Sequence, residues 1–144
     1  MLKIYLCGKM SGLTFGEMNS WRKKVEDALK IKSGFTGTPI SVINPVNYYN
    51  FEEKCHQTEI EVEEFDLAHV ISSDIIIANL DGLKDSIGTI IELHDAHYHH
   101  RIPVIAFGDK RLYDELHPWV QNDITRVEND IVGVVNYIRD FYLT

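Results

Sequence analysis

Two glycine-bearing segments and one acid between them hold the side chains with the most chemical reach in this sequence. The first, Cys7-Gly8-Lys9-Met10-Ser11-Gly12, lies where an apolar run hands over to an amphipathic one. Glycines there let the backbone approach a phosphate or a sugar closely, and Lys9 and Ser11 add a cation and a hydroxyl. The segment is neither a Walker loop nor a GxGxxG fingerprint, and an ordinary strand-to-helix turn with a solvated lysine has the same composition. The second, Asp81 to Glu92 (DGLKDSIGTIIE), carries the two acids Asp81 and Asp85 and a glycine-bearing turn ahead of Glu92. A helix starting near Ser86 sets Gly88 and Thr89 one turn below Glu92 on the same face. A carboxylate early in a helix, near the positive end of its dipole, tends to stay ionised, as a nucleophile toward an oxocarbenium-like sugar must. A capped helix start with a solvated glutamate fits the same spacing, since acids are enriched in first turns. Asp66, between Phe65 and Leu67, suits a pocket or a solvated helical face equally.

Other groups point less clearly to chemistry. His94 and His97 lie three apart on one predicted helix face, with His99 and His100 following. No HExxH pattern or paired cysteines accompany them, so no metal is expected and the run reads as a polar end facing solvent or a subunit contact. Tyr48, Tyr49 and Phe51 have rings that can stack on a base, but aromatics in a long loop more often tuck back onto the fold.

The elements that must position these residues follow from periodicity. Leu2 to Cys7 is a β-rich run, and Glu17 to Ile31 has the spacing of an amphipathic helix, with Ser33 to Pro39 as its breaker. Ile40 to Ile43 reads as a strand ended by Asn44-Pro45, and Glu59 to Ser72 as a helix with one buried side. Asp74 to Leu80 is a buried strand, Ser86 to His99 a helix, and Ile102 to Phe107 another buried strand. A short strand near Ile124 to Val127 and a helix from Asp130 complete the chain. Strands alternating with helices predict a single α/β domain, Rossmann-like or flavodoxin-like, with a parallel five-stranded sheet and helices on both faces. Ligands bind such folds beyond the carboxyl ends of the strands, here the loops 8–16, 44–58, 81–88 and 108–119.

Composition narrows the partners. The 144 residues are 44% hydrophobic and 25% charged, the balance of one ordinary globular domain. A formal net charge of −8 argues against a nucleic acid polymer, whose binding needs clustered Lys and Arg. No run approaches the roughly 20 apolar residues that span a bilayer, and no signal-peptide layout follows Met1, so no membrane partner and a cytoplasmic location are expected. Cys7 and Cys55 sit in unlike contexts and form no recognisable disulfide or metal framework.

In order along the chain, KIYLCGKMSG, INP after the second strand, the Asp66 helix, DIIIANLD, GTIIE and RIPVIAFG resemble the nucleoside 2-deoxyribosyltransferase superfamily, including its nucleoside 5′-monophosphate N-glycosidase branch and short phage and bacterial relatives. The resemblance implies that Glu92 attacks the anomeric carbon, that Tyr5 holds and tunes it through its hydroxyl, and that Asp66 contacts the base and helps it leave. Gly8, Lys9 and Ser11 would hold the sugar or its 5′ end, and Gly88 and Thr89 would lie beside the anomeric centre. The implied reaction is double displacement through a glycosyl-Glu92 ester, with a second base or water taking the sugar and no cofactor. The resemblance also implies a homo-oligomer in which a segment containing His117 and Trp119 reaches a neighbour's pocket. A Trp capping its own core fits that residue type as well.

Two departures stand out. Many transferases carry an acid two residues before the turn glycine, where this chain has Ser86, the acid coming one residue earlier as Asp85. Lys9 places a cation where a plain nucleoside needs none, which points toward a 5′-monophosphate. A non-catalytic nucleotide-binding protein, and a glycosidase of a dinucleotide or cyclic signalling nucleotide, stay open as other readings.

Overall fold

In the computed structural model, which describes residues 1–48 and 52–143, the chain forms five parallel strands in the order β2-β1-β3-β4-β5. Tyr49 and Phe51 lie outside the described residues. The strands are β1 (Leu2–Cys7), β2 (Ile40–Ile43), β3 (Ile75–Asn79), β4 (Val104–Phe107) and β5 (Arg126–Glu128). The helices are α1 (Phe15–Thr36), α2 (Glu59–Ile71), α3 (Ile87–His94), α4 (Lys110–Asp114), α5 (Pro118–Gln121) and α6 (Ile131–Tyr142). This is the α/β architecture expected from the periodicity. Its strand order is the flavodoxin-like one, in which the chain switches sides between β1 and β3 and leaves a crevice at their carboxyl ends.

Alternation along each strand divides the core in two. Ile4 and Leu6 of β1, with Ile75 and Ile77 of β3, pack against Val25 and Leu29 of α1 and Val134 and Ile138 of α6. Tyr5 and Cys7, with Ile76 and Ala78, face Val70 of α2 and Leu93 and Ala96 on the other side. Parallel register keeps the pairs aligned: Tyr5 stands beside Ile43 and Ile76, and Cys7 beside Ala78. Period-two alternation therefore aims Tyr5 and Cys7 at the helix that carries Glu92.

Three segments differ from expectation. α1 runs into the segment expected to break it and ends inside that segment, where Gly37 takes a left-handed conformation (φ 74°) and donates its N–H to the Ser33 carbonyl. Hydroxyls explain the extension: Thr36 donates to the Lys32 carbonyl, and Ser33 donates to the Thr38 carbonyl just past the cap. At its start, Thr14 and Glu17 form a reciprocal capping box. The helix read as Ser86 to His99 is α3 followed by a π-helical turn, Asp95–His99. The expected loop 108–119 contains α4 and the start of α5, each with an N-cap acceptor, Asp109 or His117. Among the described residues, no helix is long and apolar enough to cross a membrane.

Candidate active site

A cavity of about 760 Å³ opens over the carboxyl ends of β1 and β3. Its lining collects nine of the twelve expected site residues, and a tenth lies beneath them. Gly8, Lys9 and Ser11 line it from the loop after β1, and Asp66 from α2. Asp85, Ser86, Gly88, Thr89 and Glu92 line it from the turn and helix after β3. Tyr5, the tenth, lies beneath Glu92 in the sheet, 1% exposed.

Local backbone chemistry shapes the walls. Asn79, buried at the end of β3, accepts a hydrogen bond from the Asp81 N–H at 2.9 Å and starts the turn. Gly82 then adopts φ 72°, and a Cβ there would stand 2.8 Å from the Lys9 side chain, so the lysine stem lies across the glycine. Gly8 is required for space: a Cβ would come within 2.7 Å of the Trp21 indole. Ser86 is the N-cap residue of α3, but its side chain makes no capping hydrogen bond. Its hydroxyl pairs with that of Thr89 at 2.7 Å, giving the cavity floor a tied hydroxyl pair where the resemblance expects an acid. Asp85 remains exposed on the rim.

The electrostatics of Glu92 correct one expectation. It is the sixth residue of α3, beyond the first turn to which helix-dipole stabilisation is confined. Burial dominates instead and pushes its carboxyl up to about 7. A hydrogen bond from the Tyr5 hydroxyl works against that rise, repulsion from Asp66 adds to it, and Arg22 and the Cys7 thiol favour the ionised form. The Cys7 Sγ lies 3.8 Å from Glu92 Oε2. Burial first, and Glu92 second, keep the Tyr5 phenol and the Cys7 thiol protonated. Such an arrangement can hold a carboxylate poised between a neutral and a nucleophilic form near neutral pH.

Two participants escape sequence reasoning. Arg22 is fully buried, its Nη1 donating to the Met18 carbonyl at 2.6 Å and its Nη2 to the Gly8 carbonyl at 2.9 Å. It thus props the first loop from below while lending positive potential to Glu92. The signal was present: Met18, Arg22, Val25 and Leu29 share one helical stripe, and a cation in an apolar stripe marks a buried charge. Tyr48 tucks onto α2 as aromatic loop residues tend to, stacking on His69 with ring centroids 4.9 Å apart. Its hydroxyl also donates to Asp66 Oδ1 at 3.0 Å and lies 3.4 Å from the Tyr5 hydroxyl.

His117 and Trp119 are not brought to this cavity. Trp119 is 77% exposed, so it does not cap its own core, and it borders a separate cleft of about 940 Å³ with His94, His97, Tyr98 and Arg101. That larger cleft lacks the residue types and the strand-end position of the first, and His94 is committed there to the buried Asp123 at 2.8 Å. His97 Nδ1 is 3.2 Å from the Ile102 carbonyl. Cys7 and Cys55 are both free thiols.

No family model matches the sequence, and no curated protein matches it. Solved structures do resemble the fold. A conserved protein from Enterococcus faecalis V583 superposes with a TM-score of 0.71 at 19% identity, over 97% of this chain and 98% of that one. A 2-deoxyribosyltransferase from the psychrotolerant bacterium Bacillus psychrosaccharolyticus superposes with a TM-score of 0.56 at 24% identity, over 94% of this chain and 91% of that one. The chain therefore has, over nearly its whole length, the five-stranded parallel α/β fold that a 2-deoxyribosyltransferase also has.

Proposed function

We propose that the cavity cleaves the N-glycosidic bond of deoxynucleosides or nucleosides, or of their 5′-monophosphates, by double displacement through a glycosyl-Glu92 intermediate. The observation that carries this reading is the meeting of Glu92 and Asp66 in one cavity, with a phenol and a thiol backing the first. Hydrolysis at an anomeric centre needs one carboxylate to attack and one acid to assist departure. Glu92 is the nucleophile and Tyr5 its holder. Asp66, or Asp85 from the rim, protonates the leaving base. Gly88 and Thr89 border the anomeric carbon, with Ser86 tied to Thr89. Gly8 and Ser11 receive the sugar. Among the described residues the Lys9 ammonium has no ion-pair partner, which suits it to a 5′-phosphate. The chemistry asks for no cofactor, and the acceptor is a second base or water.

The exposure of Ile87, Ile91, Tyr98 and Trp119, all on the α3 side of the sheet, supports a homo-oligomer in which His117 and Trp119 serve a neighbour's cavity. The fold shared with a 2-deoxyribosyltransferase supports nucleoside chemistry in general terms. A 2-fluorinated arabinosyl nucleoside tests the reading, because fluorine slows turnover of the glycosyl ester and lets it accumulate. Peptide mapping should find the sugar on Glu92, and Glu92→Gln should lose both adduct and turnover. Residual activity within about tenfold of wild type, about 1.4 kcal/mol in the barrier, would contradict the assignment.

A further inference from the structure

Tyr48 touches Asp66 and the tyrosine that stands beside Glu92. Its ring is clamped on α2 between His69, stacked at 4.9 Å, and Phe65, edge-on at 5.1 Å, one helical turn apart. This clamp fixes where the hydroxyl can go. It donates to Asp66 Oδ1 at 3.0 Å and stands 3.4 Å from the hydroxyl of Tyr5, which in turn favours the ionised form of Glu92. A line of oxygens, Glu92 to Tyr5 to Tyr48 to Asp66, thus runs through the protein beside the open cavity.

We propose that Tyr48 is a positioning residue whose hydroxyl joins Asp66 to the Tyr5–Glu92 pair, so that the two carboxyl groups share one proton and exchange it through the two phenols. The use of that exchange rests on the glycosidic cleavage proposed above; its existence does not. In the exchange, neutral Glu92 gives its proton to the Tyr5 oxygen as Tyr5 gives its own to Tyr48 and Tyr48 gives its own to Asp66. Three O–H bonds break and three form, and one proton has moved from Glu92 to Asp66. The pair then stands as an ionised nucleophile and a neutral acid. When the C–N bond breaks, its electrons leave with the base, Asp66 supplies the base's proton, and Glu92 oxygen bonds the anomeric carbon. Burial keeps both phenols from standing as phenolates, so the transfer is concerted.

The groups facing Glu92 are Tyr5 and Cys7 from β1, Arg22 from α1, Tyr48 from the loop after β2, and Asp66 from α2, with Asp85 on the rim. Lys54, His56 and Glu59 line the cavity near Asp66. Arg22 keeps its charge and Cys7 its proton, which leaves Asp66 as the partner in the exchange.

Carboxyl-carbon NMR titration of the intact chain tests this without substrate. Tyr48→Phe keeps the clamped ring and removes the bridge. Neutral Glu92 then loses the chain that ends on Asp66, Tyr5 turns its proton wholly to Glu92, and the Glu92 midpoint should fall from about 7. Asp66→Asn should lower it too, and adding Tyr48→Phe to Asp66→Asn should change nothing further. A Glu92 midpoint unmoved by Tyr48→Phe, or additive effects of the two substitutions, would overturn the proposal. Should Tyr48→Phe fail to fold, an unmoved midpoint in Asp66→Asn alone would do so. With a nucleoside substrate, Tyr48→Phe should lower kcat about tenfold or more while KM stays within about twofold. A wild type that cleaves no nucleoside or nucleotide would defeat the proposed function, while the titration would still decide the role of Tyr48.

Discussion

The two faces of the sheet are built from the same strands and differ at every second residue. Toward α1 and α6 the central strands present Ile4, Leu6, Ile75, Ile77 and Ile105, all fully buried and aliphatic. Toward α2 and α3 they present Ile76 and Val104 together with Tyr5, Cys7, Ala78 and Ala106. The first face fills space with branched carbon, worth about 1.5–3 kcal/mol for each fully buried side chain. The second gives up volume with its alanines and admits a phenol, a thiol and, from α3, a carboxyl. Stability and chemistry are thus divided by the pleat of one sheet, so the site is rigid because its own backbone is the core of the other face.

That division can be broken from either side. The largest effect belongs to the aliphatic face: Ile77→Ala should cost about 2–5 kcal/mol in urea unfolding while leaving kcat per folded molecule unchanged. Cys7→Ala, on the other face, should cost less and instead raise the Glu92 midpoint, since the thiol favours the ionised carboxyl. If the two substitutions cost the same and neither moved Glu92, the division of labour would be wrong.

The chemical face should reveal itself in pH dependence. The Glu92 carboxyl is raised from 4.5 to about 7 on folding, so between those values the folded state binds more protons than the unfolded one. Stability is then greatest below the unfolded value and falls as pH rises toward 7, by about 3 kcal/mol at most. Thermal unfolding of the wild type between pH 5 and 8 should show this slope, and Glu92→Gln should flatten it. A slope of equal size in Glu92→Gln would assign it to other groups.

The smallest effect concerns the rim. Lys9→Ala should raise KM for a deoxynucleoside monophosphate by the equivalent of about 1.5–3 kcal/mol and barely alter the free nucleoside. The ratio of specificity constants at fixed salt measures this, because exposed charge contacts are screened. Equal losses on both substrates would remove the phosphate from the argument for Lys9.

Much of this arrangement is legible in the sequence because it depends on local pattern. Ile40–Ile43 has the bounds its apolar run implies, and the alternation of LKIYLC already separates Tyr5 and Cys7 from Ile4 and Leu6. The convergence of the first loop with the Glu92 turn follows from a parallel sheet, in which all strand ends point one way. What escaped depends on contacts distant in sequence. The protonation of Glu92 is set by burial and by Tyr5, Cys7, Arg22 and Asp66, none within one helical turn of it. Tyr48 looked like a loop aromatic because its hydroxyl partners come from other elements. The end of α1 was misplaced because glycine and hydroxyl residues read as breakers when their side chains still serve the last turn.

Strand order also bears on the timing of synthesis. Of the five strands of the sheet, the one made earliest is the middle one of the site: β1 meets β2 in a pairing of Leu2 with Ile40, and meets β3 only when Ile75 can pair with Ile4. At about 5–20 residues per second on the ribosome, that second partner arrives several seconds after β1 has emerged. Until then one edge of LKIYLC is open, with Tyr5 and Cys7 uncovered beside it. β2 is therefore an early guard against pairing with another nascent chain, and weakening it should lower the yield of soluble protein before it lowers the activity of what folds.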